Sequence, residues 1–266
     1  MFLTNVFAYF KLSWLYTLQY RASLLIVIVA RLVSTSFIVF LWIKIYQSQN
    51  VVGGYTLSGM LTYYLLAFII KNIIKVDISK SMAQKIKDGT MQFFILRPGG
   101  IIGSFFGWNI AKTLIQTGIL GVVICIIYIF FHQYFVFQFT YFTVVGFFIL
   151  VSGGFVLAYL MATFISAITF WLIEIAPLLN SFAILTGILS GSTIPLSFFP
   201  GKWGSVIMFL PFRYLTYDPI RMIQGQISSA DFPTIFLAII IWILFFYLLN
   251  IWIWHIGLKR FDAVGN

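Results

Sequence analysis

Acidic side chains are scarce in this chain. Its 266 residues hold 6 Asp and Glu against 16 Lys and Arg, and charged residues of both signs make up only 8%. A soluble domain carries about 25%, because charge keeps it dispersed in water. With 62% hydrophobic residues and a mean hydropathy of +1.05, the solvent that suits this chain is lipid. The single cysteine, Cys125, lies in an apolar run, which excludes an internal disulfide and a thiolate metal cluster. No G-x-x-x-x-G-K-S/T loop is present to cradle a nucleotide phosphate, and no H-E-x-x-H pair to hold zinc. "GILSGS", Gly187 to Ser192, offers serines but no base. His255 sits some 23 residues into the last apolar run, roughly 35 Å away along a helix. Intramembrane hydrolysis is therefore disfavoured.

What is present is a series of apolar runs, each near the 20 residues a spanning helix needs. They cover residues 24–46, 57–74, 101–131, 141–170, 172–194 and 232–258. The expected fold is an all-α polytopic membrane protein with six transmembrane helices. The third run is longer than one span requires and is expected to begin with a cytoplasmic or interfacial turn. The boundary near Glu174 and Pro177 is the least marked. Residues 1–22 combine Phe2, Phe7, Phe10 and Trp14 with Lys11 and lack a small-residue cleavage pattern, so an uncleaved interfacial amphipathic helix is expected there.

The net charge of +10 is explained by the positive-inside rule and anionic headgroups more simply than by nucleic acid. With the N-terminus inside, Lys11, Arg21, Lys75, Lys80, Lys85, Lys87, Arg97, Lys259 and Arg260 face the cytoplasm. Lys44, Lys202, Arg213 and Arg221 face away, so nine cations stand against four. Both termini are expected in the cytoplasm. The segment 195–229, with Pro195, Pro200, Pro211 and Pro219 among aromatic residues, reads as short external re-entrant or interfacial helices.

Ionisable residues inside apolar runs default to function, though each has a plainer reading. Arg31 can snorkel, and Lys71 and Lys75 can pair with Asp77. Asn109, Lys112 and Gln116 share one helical face, which suits interhelical hydrogen bonds better than a pathway. No acidic residue sits clearly at midplane, which counts against an ion-coupled secondary transporter.

The longest polar interval is "SKSMAQKIKDGTMQFFILRPGG", Ser79 to Gly100. Ser79 can cap a short helix, Ile78, Met82 and Ile86 give it an apolar side, and Gly89 can end it. Arg97-Pro98 then fixes the return to the membrane. Four stretches together, in order and across nearly the whole chain, carry a resemblance: "GGYTLSGMLTYY", "IKDGTMQFFILRPGG", "IPLSFFPGKWGSVIMFLPFRYLTYDPIRMIQGQ" and the terminal "GLKRFDAVGN". The chain resembles the permease subunits of type-2 ABC exporters, in the subgroup of small six-span permeases encoded apart from their ATPase.

The resemblance implies an ATP-driven exporter subunit of the cell membrane with no cofactor of its own, ATP and Mg being bound by partner ATPase subunits. Two ATPase chains and a second permease chain, identical or paralogous, would complete it. The loop 78–100 would carry a cytoplasmic coupling helix between the second and third spans, docking on the ATPase through Met82, Lys85, Ile86, Lys87, Asp88, Gly89 and Arg97. The cleft would be walled mainly by the second and fifth spans, with Asn180, Ser181, Thr186 and Ser190 as candidate pathway residues. The many aromatic residues suit a hydrophobic or amphiphilic cargo (drug, lipid or glycolipid), but they suit lipid contact equally. A secondary transporter and a non-transporting scaffold are the rival readings.

Overall fold

The computed structural model describes residues 36–74, 76, 78–90, 100–172 and 174–264, together with isolated positions nearer the N-terminus. The expected interfacial helix at 1–22, the start of the first apolar run, Lys75, Asp77 and Arg97 lie outside the described residues. Among those described the protein is helical, with only an isolated bridge between Val52 and Tyr55. In chain order the helices are α1 (Ser36–Ile45), α2 (Leu57–Ile73), α3 (Ile78–Lys87), α4 (Gly100–Phe131), α5 (Tyr141–Ala167), α6 (Ala176–Leu189), α7 (Gly201–Phe209), α8 (Tyr217–Ile223) and α9 (Phe232–Val264).

The fold is built around α5. Thr140 opens it with a reciprocal cap: its Oγ1 accepts from the Thr143 N–H at 3.2 Å, and Thr143 Oγ1 accepts from the Thr140 N–H at 2.9 Å. These bonds satisfy donors that the first turn leaves orphaned. The helix runs 27 residues, about 40 Å, then tightens into the 3-10 turn Ile168–Phe170. Against its flanks pack α9, α8, α3 and the 3-10 turn Pro211–Leu215. Lipid gives apolar helices no hydrophobic reason to associate, so close packing has to hold them. Gly154 shows how close. A Cβ there would stand 2.8 Å from the Tyr214 carbonyl oxygen and 3.1 Å from Ile74 Cδ1. Only glycine lets the 211–215 turn lie on α5.

Two stretches, Tyr141–Phe170 and Phe232–Arg260, are long and apolar enough to cross a membrane by length and composition. α9 shows what its surroundings must be. Leu237, Ile241, Leu244, Leu248, Ile251 and Trp252 all point outward, as on a helix whose solvent is lipid. α4 is one continuous helix from Gly100 to Phe131. One expectation differs from the structure: α6 covers only 176–189 of the expected 172–194, because Pro177 is held to its first turn and Gly191, at φ +79°, follows its end.

The prolines of 195–229 likewise set element starts. Pro195 and Pro200 precede the 3-10 turn Leu196–Phe198 and α7, and Pro211 opens the next turn. The segment is thus a chain of short helices. Its α7 exposes Trp203 and Phe209.

Candidate functional site

Between α2, α5 and α6 lies a cavity of about 720 Å³. α2 gives it Tyr64, Phe68, Lys71 and Asn72, and α5 gives Ala158, Met161 and Ala162. At α6 the lining residues Asn180, Ala183, Gly187 and Ser190 recur every three or four positions with Thr186 beside them, one face of a helix. Ser181 lies a quarter-turn away and does not line it. Of the four candidate pathway residues, the structure therefore gathers Asn180, Thr186 and Ser190 around one space and leaves Ser181 exposed elsewhere on α6.

The far end of the cavity is a knot of backbone bonds. The Ser190 N–H donates to the Thr186 carbonyl at 3.0 Å, and the Tyr217 N–H donates to the Ser190 carbonyl at 3.1 Å. Tyr63 Oη donates to the Gly191 carbonyl at 2.7 Å, tying α2 to the same turn. Thr186 is different. Its Oγ1 is buried and has no hydrogen-bond partner among the described residues, a cost that invites a ligand or water.

At the other end α3 itself closes the wall, with Ser79 and Lys80 among the lining residues. Ser79 is inside the helix rather than capping it. Its Oγ donates to the Ala162 carbonyl of α5 at 3.3 Å, because α3 lies directly against that helix. Met82 (0% exposed) and Ile86 are sunk among Phe105, Tyr159, Leu160, Phe170 and Trp254. They fasten α3 to the membrane bundle and point away from any surface a partner reaches. Its outward side consists of Ser81, Gln84 and Lys87, followed by Asp88; Lys80, which lines the cavity, is also exposed, and Lys85 is half-buried. Gln84 Nε2 donates to Asp88 Oδ1 at 2.7 Å, and Gly89 turns the chain at φ +69°. The amphipathic spacing is as the sequence suggests, but its apolar side faces home.

Sequence reasoning missed a second cluster. Asp218, counted nowhere among functional residues, is fully buried and gripped by Arg213. Arg221 Nη1 stands 3.7 Å from the same carboxylate, and Arg213 Nη1 also donates to the Met208 carbonyl at 3.1 Å. Burial works against the Arg213 charge, but the hydrogen bonds and charge of Asp218 outweigh it and hold the guanidinium above its ordinary value. The signal was available as a lone aspartate with arginines five residues before and three after. By contrast Asn109, Lys112 and Gln116 lie on α4 outside the cavity, Asn109 being almost wholly buried.

A polar-faced helix thus sits on an apolar bundle beside a cavity. Comparison with family models matches residues 32–265 to the ABC-2 family transporter protein model. The chain belongs to that family. It is a type-2 ABC permease subunit, a membrane component of an ABC transporter that works with a separate ATP-binding subunit where ATP is hydrolysed. Comparison with curated proteins and with solved structures returns no match.

Proposed function

We propose that this ABC-2 permease is half of the translocating core of an ATP-driven exporter of the cell membrane, moving a hydrophobic or amphiphilic cargo out of the cytoplasm. The observation that carries this reading is that α3 both walls the cavity and presents a polar outer face. Six spans follow from the apolar runs, and cytoplasmic termini and an external 195–229 segment from the cation bias. In that arrangement α3 is the cytoplasmic coupling helix, touching an ATPase through Lys85, Lys87 and Asp88 while Met82 and Ile86 root it in the bundle.

Two ATPase subunits close on ATP and Mg, their motion displaces α3, and two permease chains, identical or paralogous, exchange inward for outward access. Such a switch needs two discrete packings, not catalytic side chains. The test is transport in proteoliposomes holding this chain, its permease mate and its ATPase. ATP-dependent efflux that persists after ion gradients are collapsed supports the proposal. Efflux that needs an ion gradient and ignores the ATPase makes the protein a secondary transporter, and a complete lack of transport leaves it a scaffold.

A further inference from the structure

We infer that the end of the cavity away from α3 is a gate, latched by the hydroxyls of Tyr63 and Tyr64 on the turn that follows α6. This rests on the export reading and adds to it the place where cargo leaves.

The two hydroxyls hold two atoms of one turn. Tyr63 Oη donates to the Gly191 carbonyl at 2.7 Å, and Tyr64 Oη donates to the Thr193 carbonyl at 3.0 Å. Both carbonyls lie past the end of α6, outside any helical ladder, so their partners have to come from elsewhere. Edge-on contacts aim the rings: Tyr63 meets Tyr55 at 5.7 Å and Tyr64 at 5.8 Å between centroids. Gly191 completes the fit. A Cβ there would stand 2.8 Å from Tyr63 Oη.

These bonds sit where the cavity ends. Tyr64, Ser190 and Ser192 line it together with Leu215 and Thr216, and the Tyr217 N–H fastens the Ser190 carbonyl from the far side. α2, the turn after α6 and the start of α8 therefore shut the space at one level. Tyr63 is six positions into α2, about 9 Å along its axis. On the six-span reading α2 starts at the outer face, so a thin plug is all that separates the cavity from the outside.

The chemistry suits a contact made and broken in each cycle. In an open form each hydroxyl and each carbonyl meets water, so release exchanges neutral hydrogen bonds and strands no charge. Tyr46 supplies the comparison. Its Oη donates to the Tyr55 carbonyl at 2.6 Å, the same kind of bond within the α1–α2 connection, and neither residue lines the cavity.

The test uses the permease–ATPase complex in right-side-out and inside-out membrane vesicles, without nucleotide. A Cys125→Ala background carries Ala183→Cys as reporter, at an exposed lining position with no part in the latch. Its labelling by a membrane-impermeant maleimide is timed from each side, with unfolding temperatures read in parallel. Tyr63→Phe and Tyr64→Phe should each speed labelling from outside about fivefold, the factor that corresponds to one neutral hydrogen bond. Tyr46→Phe should leave the rate unchanged. Rates unaltered from both sides in the Tyr63 and Tyr64 variants overturn the latch. An equal effect of Tyr46→Phe also overturns it, since the tyrosines then only brace the fold. If Tyr63→Phe fails to fold, Tyr64→Phe decides alone, its hydroxyl being only part-buried. Acceleration from the cytoplasmic side only upholds the latch and overturns the outward orientation on which export rests.

Discussion

Arg213 holds Asp218 through two parallel bonds, Nε to Oδ2 at 2.6 Å and Nη2 to Oδ1 at 2.7 Å, with the carboxylate wholly withdrawn from solvent. A fork meeting a carboxylate in this way is the strongest geometry an ion pair has. Removing one partner strands the other. Asp218→Asn should cost about 3–5 kcal/mol of stability, measured as thermal unfolding in detergent. The double change Arg213→Met, Asp218→Leu should cost less than Asp218→Asn alone, because it leaves one fewer buried charge stranded. A double variant worse than the single one would mean that the pair stabilises beyond its own neutralisation.

Two adjacent glycines of α5 offer a sharper contrast. Gly154→Ala places its methyl 2.8 Å from the Tyr214 carbonyl, which is backbone and yields only if the 211–215 turn moves. Gly153→Ala meets Ile239 Cδ1 at 2.9 Å, the flexible tip of a side chain. We expect the first to cost about 1–3 kcal/mol as overpacking and the second to be mild. Equal unfolding temperatures for the two would show that the turn is not seated on α5 as described.

Gly89 isolates a backbone effect. A Cβ there would meet nothing within 4 Å, so Gly89→Val is penalised chiefly through φ +69°, about 1–2 kcal/mol locally. Membrane insertion should persist while ATPase co-purification and ATP-dependent transport fall. Lys85→Glu with Lys87→Glu should do the same, and charge reversal at Lys259 and Arg260 should spare coupling. Met82→Ala is the complementary test. Its side chain is buried, so about 2–5 kcal/mol of stability should be lost, and insertion or yield with it.

Thr186→Val removes an orphaned hydroxyl while keeping the shape of the side chain. Stability should hold or rise, since no hydrogen bond is broken. Transport selectivity should shift toward less polar cargo. A large loss of stability would show that the hydroxyl has a structural partner, such as an ordered water.

Orientation is checked by labelling single cysteines in a Cys125→Ala background. Gln84 and Lys259 should react from the cytoplasm and Lys202 from outside, all three being exposed. External labelling of Gln84 would overturn the six-span arrangement.

Local signals in the sequence gave more than long-range ones. The helices at 57–73, 100–131, 141–167 and 232–264 begin and end within a few residues of the apolar runs, apart from the longer tail of the last, because length and hydropathy are written locally. Gly89 after a short amphipathic helix was legible for the same reason. The direction of that helix was not, since whether Met82 and Ile86 face a partner or α5 depends on a helix some eighty residues further along. The cavity was half legible. Asn180, Thr186 and Ser190 follow from helical spacing, whereas Lys71, Ser79 and Lys80 join them only once α2 and α3 are brought against α5. Asp218 escaped notice because polarity inside a proline-aromatic segment reads as surface until its burial is seen.

The brevity of α6 reaches beyond the protein. Its 14 residues rise only about 21 Å, against a hydrocarbon layer of about 30 Å. Wherever this helix borders lipid, the bilayer has to thin, or be replaced by neighbouring protein, over the difference. Hydrophobic mismatch of this kind costs fractions of a kcal/mol per Å and depends on acyl-chain length. On the six-span reading, the side of the cavity formed by α6 is a place where membrane thickness acts on the permease. Activity in bilayers of shorter-chain lipids should differ from activity in longer ones even when headgroup and fluidity are matched.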